Sequence, residues 1–307
     1  MLTPENFSMG QQKYDVVIVG GSIAGLSAAM TLARAVRTVL VIDCGTPCNL
    51  PAPRSHNFIT NDGRKPSEIL LIAKSEIGKY ENINFFDDKV ADVRQTADGF
   101  EVVTESREIY QGSKILLCTG LTDVPPDIPG FAACWGISIL HCPYCHGYEV
   151  RNETTGILAN GEAAYHLGIL INNWTDDLTI LTNGVSELRN EELEKLTNRN
   201  IKVVEYEIDK FIHNDGQLRI VQFADGSFFS AKAIYASIPY RQQSDLAEKL
   251  GCKMSSHGHI DVDDEQRTSI PGVYAAGDNT AQQRAVSVAS ASGTKAGFTI
   301  NLDLILK

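Results

Sequence analysis

The sequence predicts an α/β protein of two three-layer units, the smaller inserted into the larger. Three observations predict it. The β-branched run Val16-Val17-Ile18-Val19 breaks on Gly20-Gly21 and leads into a helix of small residues, as a buried parallel strand passing into its crossover helix does. A second, shorter strand and helix pattern begins at Thr155. Prolines 125, 126 and 129, and later Ile238-Pro239-Tyr240, interrupt regular structure where the chain would leave the first unit and return to it. The expected units are residues 1–121 with 241–307, and residues 122–240.

Taken in order, Tyr14 to Gly20 reads as the first strand. Ser22 to Ala35 follows as a helix that packs through Ala24, Leu26, Ala28, Ala29, Leu32 and Ala33. Thr38 to Ile42 is a second strand, ends at Asp43 and completes a βαβ unit. Ile115 to Leu117 is a further strand, ending at Thr119-Gly120. In the insertion, Thr155 to Ala159 and Asp177 to Leu181 read as strands, with helices over Ala163 to Asn172 and Glu187 to Leu196. After the return come a helix from Asp245 to Leu250, a strand from Gly272 to Ala276, and a terminal helix beginning near Ala285. Met1 to Gln12 are expected to lie outside the folded part.

An apolar fraction of 43% with 21% charged residues marks a folded chain. The net charge of -11, with no local basic patch, argues against nucleic acid and membrane surfaces as partners. No apolar run approaches the roughly 20 residues of a membrane span, and Met1 to Gln12 lack a basic region followed by an apolar one. A soluble, cytoplasmic protein is the expectation. The seven cysteines agree with that, because Cys44, Cys48, Cys118, Cys134 and Cys252 show no framework spacing and fit a reducing compartment.

Three motifs carry chemistry. Gly20-Gly21-Ser22-Ile23-Ala24-Gly25 sits between strand and helix, where glycines let the backbone approach a pyrophosphate at the helix start. Asp43 lies 23 residues after Gly20, at the end of the next strand, where a carboxylate binds ribose hydroxyls. A tight turn that binds nothing is the alternative. The second motif is Cys142-Pro143-Tyr144-Cys145-His146, preceded by His141. Two cysteines at this spacing close a small disulfide ring, and a helix start or a protonated histidine lowers the attacking thiol's pKa. Half of a zinc site, or two inert thiols, are the alternatives; His257 and His259 fit no common zinc module with the pair, and no metal is expected. The third runs from Thr268 to Gly277-Asp278, a strand that delivers a carboxylate to the carboxyl edge of a sheet.

Other residues are weighed more lightly. His56 follows Asp43 in a turn and either approaches a cofactor or is a solvated loop histidine. Cys118 reads as a small buried residue, and Cys44 and Cys48 as incidental surface thiols, with an auxiliary thiol pair as the alternative. Trp135 and Tyr144 either rim the dithiol or simply pack.

Together these stretches resemble the low-molecular-weight thioredoxin reductases over nearly the whole chain and in family order. The resemblance implies two Rossmann-like domains and FAD, held by Gly20, Gly21, Ser22, Ala24, Gly25, Asp43, Thr119, Gly120, Gly277, Asp278, Arg284 and Ala285. Gln283, Arg284 and Ala285 match the segment that closes over the isoalloxazine. The larger, discontinuous unit would then be the FAD-binding domain, and residues 122–240 a nucleotide-binding-like domain carrying the redox pair. By the same resemblance Cys145 faces the flavin, Cys142 exchanges with the partner, His146 stands where the reductases carry an acid/base aspartate, and the protein is a homodimer. The wording CPYCHGYE is similar to that of dithiol oxidases that form gliotoxin-like and holomycin-like disulfides.

The insertion departs from the family pattern. Leu158-Ala159-Asn160-Gly161-Glu162-Ala163-Ala164 keeps one glycine of the second fingerprint, no arginine follows Leu181, and Glu162 is unfavourable beside a phosphate at a helix start. The sequence therefore points to an FAD-dependent thiol/disulfide oxidoreductase acting on a thioredoxin-like protein or a small dithiol/disulfide, without NADPH in the family manner. The alternatives are an NAD(P)H-dependent thioredoxin-disulfide reductase and a non-catalytic flavin redox sensor.

Overall fold

A computed structural model describes residues 13–306, so the expectation for Met1 to Gln12 lies outside the described residues. The described chain divides into two compact units, one of residues 13–48, 67–122 and 241–306, the other of residues 49–66 and 123–240. The sequence reading kept residues 49–66 with the first unit. They cluster instead with the second, where the bridge between Ser55 and Arg64 closes a loop and Pro51 packs against Gly136.

The first unit opens with β1 (Lys13–Val19), α1 (Ile23–Arg34) and β2 (Val39–Asp43). After α2 (Pro66–Ile77) come β3 (Ile83–Asp87), β4 (Val90–Thr96), β5 (Gly99–Thr104) and β6 (Ile109–Leu117). The sheet order is β3-β2-β1-β6-β5-β4, parallel from β3 to β6 and antiparallel beyond it. Both faces of β1 are covered. Val16 and Ile18 point into a core shared with α1, whereas Val17 and Val19 point into a second core with Val93 and Phe100, which is why the strand is apolar at every position from Val16 to Val19. The chain leaves on β7 (Leu121–Asp123).

The second unit contains α3 (Phe131–Cys134), β8 (Ile139–Leu140), α4 (Pro143–His146), β9 (Thr155–Leu158), α5 (Gly161–Ile171) and β10 (Leu178–Leu181). There follow α6 (Asn190–Thr197), β11 (Lys202–Val204), β12 (Ile208–Asn214), β13 (Gln217–Phe223), β14 (Phe228–Ser230) and β15 (Ala233–Ala236). A five-stranded parallel sheet runs β11-β10-β9-β15-β8, and β12, β13 and β14 form an antiparallel sheet. Helix α6 starts three residues later than the sequence suggests. Glu192 reaches back to accept the Arg189 N–H at 2.9 Å, a capping interaction that fixes the start there.

The chain returns on β16 (Tyr240–Gln242), which pairs with β7, and continues through α7 (Leu246–Lys249), β17 (Val273–Ala275) and α8 (Val286–Ile305). Strand β17 joins the first sheet parallel to β6, and α8 lies along α1. That helix pair is close because it meets at glycine: a Cβ on Gly293 would stand 2.0 Å from the Ala24 carbonyl oxygen. Among the described residues, no helix is long and apolar enough to cross a membrane.

Gly293→Ala should therefore overpack the α1 and α8 contact and lower unfolding stability by about 1–3 kcal/mol. Urea denaturation of the purified protein measures this, and an unchanged midpoint would show that the helices can part without cost.

Candidate active site

The dithiol is built by a single helical turn. Cys142 is the last extended residue before α4, with φ -119° and ψ 115°, and Pro143 occupies a first-turn position that its fixed φ suits. One turn on, the Cys145 Sγ comes to 2.8 Å from the Cys142 Sγ. Gly147 permits the turn's tight close, since a Cβ there would meet the Pro143 carbonyl oxygen at 2.5 Å and the Trp174 indole nitrogen at 2.8 Å.

This geometry separates the two acidities when both thiols are reduced. The Cys145 S–H donates to the Cys142 sulfur, and against the opposing effect of burial the backbone N–H groups of Cys145 and Tyr144 add to it, bringing Cys142 down to about 7. Cys145 is held strongly protonated by that same donated bond, by burial and by the neighbouring thiolate charge. The first cysteine is thus the more acidic of the two.

Around the pair stand groups that the motif alone does not reveal. Burial, followed by the charge of His56, lowers the pKa of His146 against the pull of Glu149, so the ring is neutral at pH 7 and able to accept a proton. His56 Nδ1 lies 3.6 Å from both Glu149 Oε1 and Asp62 Oδ1, and its ring meets that of His146 edge-on at 6.3 Å. Tyr235 is 2% exposed and its hydroxyl has no hydrogen-bond partner; burial, then the charges of Cys142, Glu149 and Cys145, push the phenol up. Trp174 backs the turn edge-on to Tyr144, which is itself exposed. Trp135 turns away into packing, stacked on Phe131 with its indole N–H donated to Asp123. Glu149, Trp174 and Tyr235 were not singled out by the sequence, since no motif there marks their place beside the dithiol.

The glycine turn lies in the first unit. Strands β1, β2, β6 and β17 are parallel and in register at their ends, with Val19 beside Ile42 and Leu117, and Leu117 beside Ala275. Gly20 to Gly25, Asp43, Thr119-Gly120 and Gly277-Asp278 therefore gather along one carboxyl edge, the place where open α/β sheets bind ligands. Gly25 carries no Cβ because one would stand 1.9 Å from the Gly20 carbonyl oxygen. At the start of α1, Ser22 makes no side-chain cap and the first turn holds no acidic residue. Its N–H groups are left for an anion.

The rest of this edge is partly engaged. Asp43 accepts the Gly21 N–H at 3.0 Å and pairs with Lys74 at 3.4 Å. Asp278 lies 3.6 Å from Arg284, and Ala285 is the N-cap of α8. Asn279 donates to the Leu117 carbonyl at 2.9 Å and to Thr119 at 3.4 Å, yet its buried Oδ1 has no partner. An uncapped helix start, close-approach glycines and an orphaned buried polar atom suit a dinucleotide cofactor. Cys44 and Cys48 are both exposed; Cys48 donates to Asp278 at 3.5 Å, and crowding of its sulfur by protein, despite that exposure, together with the carboxylate pushes its thiol up to about 11, while Cys44 turns to Thr46. Cys118 is buried, and desolvation keeps its thiol protonated.

The corresponding helix start in the second unit is closed. The Asn160 side chain accepts the N–H groups of Gly161 and Glu187, each at 2.9 Å, and donates to the Val185 carbonyl at 2.9 Å. Glu162 occupies the first turn of α5, and Glu187 packs within 3.6 Å of where a Gly161 Cβ would lie. Among the described residues, no three His, Cys, Asp or Glu side chains gather to hold a metal ion.

Residues 14–293 match the family model of the pyridine nucleotide-disulphide oxidoreductases. The thioredoxin reductase tcpT of Claviceps purpurea is 33% identical over 302 residues, covering 95% of this chain and 94% of the relative. Among solved structures, an oxidoreductase from Agrobacterium tumefaciens is similar at TM-score 0.90 and 31% identity, covering 96% of this chain and 99% of that one. The structure of HlmI is similar at TM-score 0.90 and 32% identity, covering 95% and 93%.

In the reduced protein, iodoacetamide should label Cys142 ahead of Cys145, with a rate that rises through a midpoint near pH 7 as the thiolate forms. Cys145→Ala removes the donated bond and should move that midpoint upward. Mass mapping of the labelled peptide tests this; one alkaline midpoint shared by both proteins would contradict the assigned hydrogen bond.

Proposed function

Because the chain belongs to the pyridine nucleotide-disulphide oxidoreductases as a thioredoxin reductase-like member, we propose that it is an FAD-dependent thiol/disulfide oxidoreductase that does not use NADPH in the family manner. It exchanges electrons with a protein or small-molecule dithiol/disulfide through Cys142 and Cys145. The observation that carries this reading is the contrast between the two helix starts: α1 is uncapped and free of acid in its first turn, whereas α5 is capped by Asn160 and flanked by Glu162 and Glu187. One start invites a phosphate and the other repels it.

In this reading the discontinuous unit is the FAD-binding domain, and the inserted unit carries the dithiol. Gly20, Gly21, Ser22, Ala24 and Gly25 shape the pyrophosphate turn, Asp43 takes the ribose, and Thr119, Gly120, Gly277, Asp278, Arg284 and Ala285 hold the rest of the cofactor. Bound FAD would supply a second two-electron centre, able to take electrons from the dithiol or return them to it. Cys142, the more acidic thiol, exchanges with the partner, Cys145 faces the flavin, and His146 takes the proton of the incoming thiol. The partner is a thioredoxin-like protein or a small dithiol. Cytoplasmic residence follows from the scattered cysteines. A homodimer follows from the family resemblance, and Phe298, Leu302 and Ile305, exposed on one face of α8, suit it.

A second reading, an NAD(P)H-dependent thioredoxin-disulfide reductase, draws support from the name of the Claviceps purpurea relative. Anaerobic titration of the flavin-loaded protein separates the two. Bleaching of the oxidised flavin by a small dithiol, with neither NADPH nor NADH effective, is the expected result; rapid stoichiometric bleaching by NADPH would favour the reductase. Cys145→Ser should keep FAD bound and stop exchange with dithiols, and retained turnover would overturn the cysteine roles. His146→Ala should slow exchange by about 100-fold or more and displace its pH profile; an unmoved profile would remove its proton-transfer role.

A further inference from the structure

We propose that His56, with Glu149 and Asp62, is a positioning residue that passes the proton of His146 between the dithiol and solvent. The inference rests on the exchange reaction proposed above and adds a proton path to it.

The chemistry requires one. When a substrate dithiol meets the oxidised pair, its first thiol gives up a proton and the thiolate attacks the Cys142 sulfur. A new S–S bond forms as the Cys142–Cys145 bond breaks, and the electron pair leaves on Cys145. The substrate's second thiol then loses its proton and attacks the first substrate sulfur, closing the substrate disulfide and releasing Cys142 as a thiolate. The substrate is oxidised by two electrons and the enzyme pair is reduced by two, so this half of the cycle needs no other oxidant. Two protons leave the substrate. One settles on the Cys145 thiolate, which the reduced pair holds protonated, and the other is left on His146, whose charged form burial disfavours, so that proton must pass to solvent before the next turnover.

The residues beside His146 form a graded path outward. The His56 side chain is 18% exposed, that of Glu149 41% and that of Asp62 68%, and His56 Nδ1 stands 3.6 Å from each carboxylate. These separations allow an ion pair when the ring is protonated, or transfer across one bridging water. His56 and Asp62 come from the 49–66 loop, His146 and the thiols from the α4 turn, Glu149 from the segment after it, and Tyr235 from β15. Among these, His56 and Glu149 act electrostatically on His146, and Tyr235 lies in the field of the thiols and Glu149. The loop is stiffened for this position: Asp62 Oδ1 accepts the Asn57 N–H at 2.8 Å, with Asn57 at φ 59°, and Ser55 exchanges backbone bonds with Gly63 and Arg64 at 2.9 and 2.7 Å. The turn that presents His56 to His146 is the one that carries Asp62 to the surface.

The test is stopped-flow reduction of the flavin-loaded protein by dithiothreitol from pH 6 to 9, with and without added imidazole, on the wild type, His56→Ala and Asp62→Asn. The asparagine keeps an acceptor for the Asn57 N–H while removing the charge, so loop structure survives in at least one variant. Both variants should be slowed by about 10-fold or more, with a displaced pH profile, and imidazole should restore the rate to His56→Ala. The pH midpoint of Cys142 alkylation in the unreacted reduced protein should stay near the wild-type value, showing the dithiol intact. Wild-type rates and profiles in both variants, or a loss that imidazole leaves unchanged, would overturn the path. Failure of the wild type itself to be reduced by the dithiol would instead overturn the proposed function.

Discussion

The first unit depends on two places where backbone meets backbone with no side chain between. Gly25 seats α1 against the Gly20 carbonyl, and Gly293 seats α8 against the Ala24 carbonyl. Any Cβ at either point would push the helix outward, and with it the start of α1. Because the strands on either side are parallel and in register, that start sits level with the ends of β1, β2, β6 and β17. A few ångströms of open backbone at the carboxyl edge follow from helix packing several residues away. The chemistry proposed for this edge therefore rests on glycines whose missing side chains let backbone meet backbone.

The second unit repeats the parallel arrangement and spends its edge differently. Leu140 lies in register with Tyr235, and Leu158 with Ala236 and Leu181, so the dithiol turn, the Tyr235 ring and the Asn160 cap emerge from neighbouring strand ends. A phosphate at the start of α5 would have to displace the Asn160 cap, a loss of about 1 kcal/mol, and face two carboxylates at about 0.3–1 kcal/mol each. Together these amount to about 2 kcal/mol, more than tenfold in affinity. This is enough to disfavour a nucleotide held chiefly through its phosphates.

Sequence patterns reached the strand, turn, helix and strand of residues 14–43 because buried parallel strands and their crossover helices repeat short rules. The dithiol was legible for the same reason: Cys142-Pro143-Tyr144-Cys145 writes its geometry in four adjacent residues. The antiparallel strands β4 and β5, and β12 to β14, escaped because their burial alternates and their polar positions read as loop. The neighbourhood of His146 escaped for a different reason. His56 is ninety residues away in the chain, and it reaches the dithiol only because residues 49–66 fold onto the second unit, a long-range choice that no local periodicity records. The cap by Asn160 was hidden in the same way, since it depends on the Glu187 N–H arriving from another loop.

A histidine after the second cysteine is consistent with the acidities of the pair. A protonated imidazolium held permanently beside Cys145 would draw that thiol toward its thiolate, placing two negative sulfurs 2.8 Å apart and weakening the bond that Cys145 donates to Cys142. Burial prevents this by keeping His146 neutral, so the reduced pair retains one proton and one charge. In the proposed cycle the imidazolium then exists only while a thiol proton is in transit. Glu149 is the group that tempers the penalty during that interval, and its partial exposure limits how far it does so, because water screens the attraction. A fully buried carboxylate in its place would hold His146 charged between turnovers and disturb the division of roles between the two cysteines. The half-exposed position of Glu149 is therefore part of what keeps one sulfur charged and the other protonated in the reduced pair.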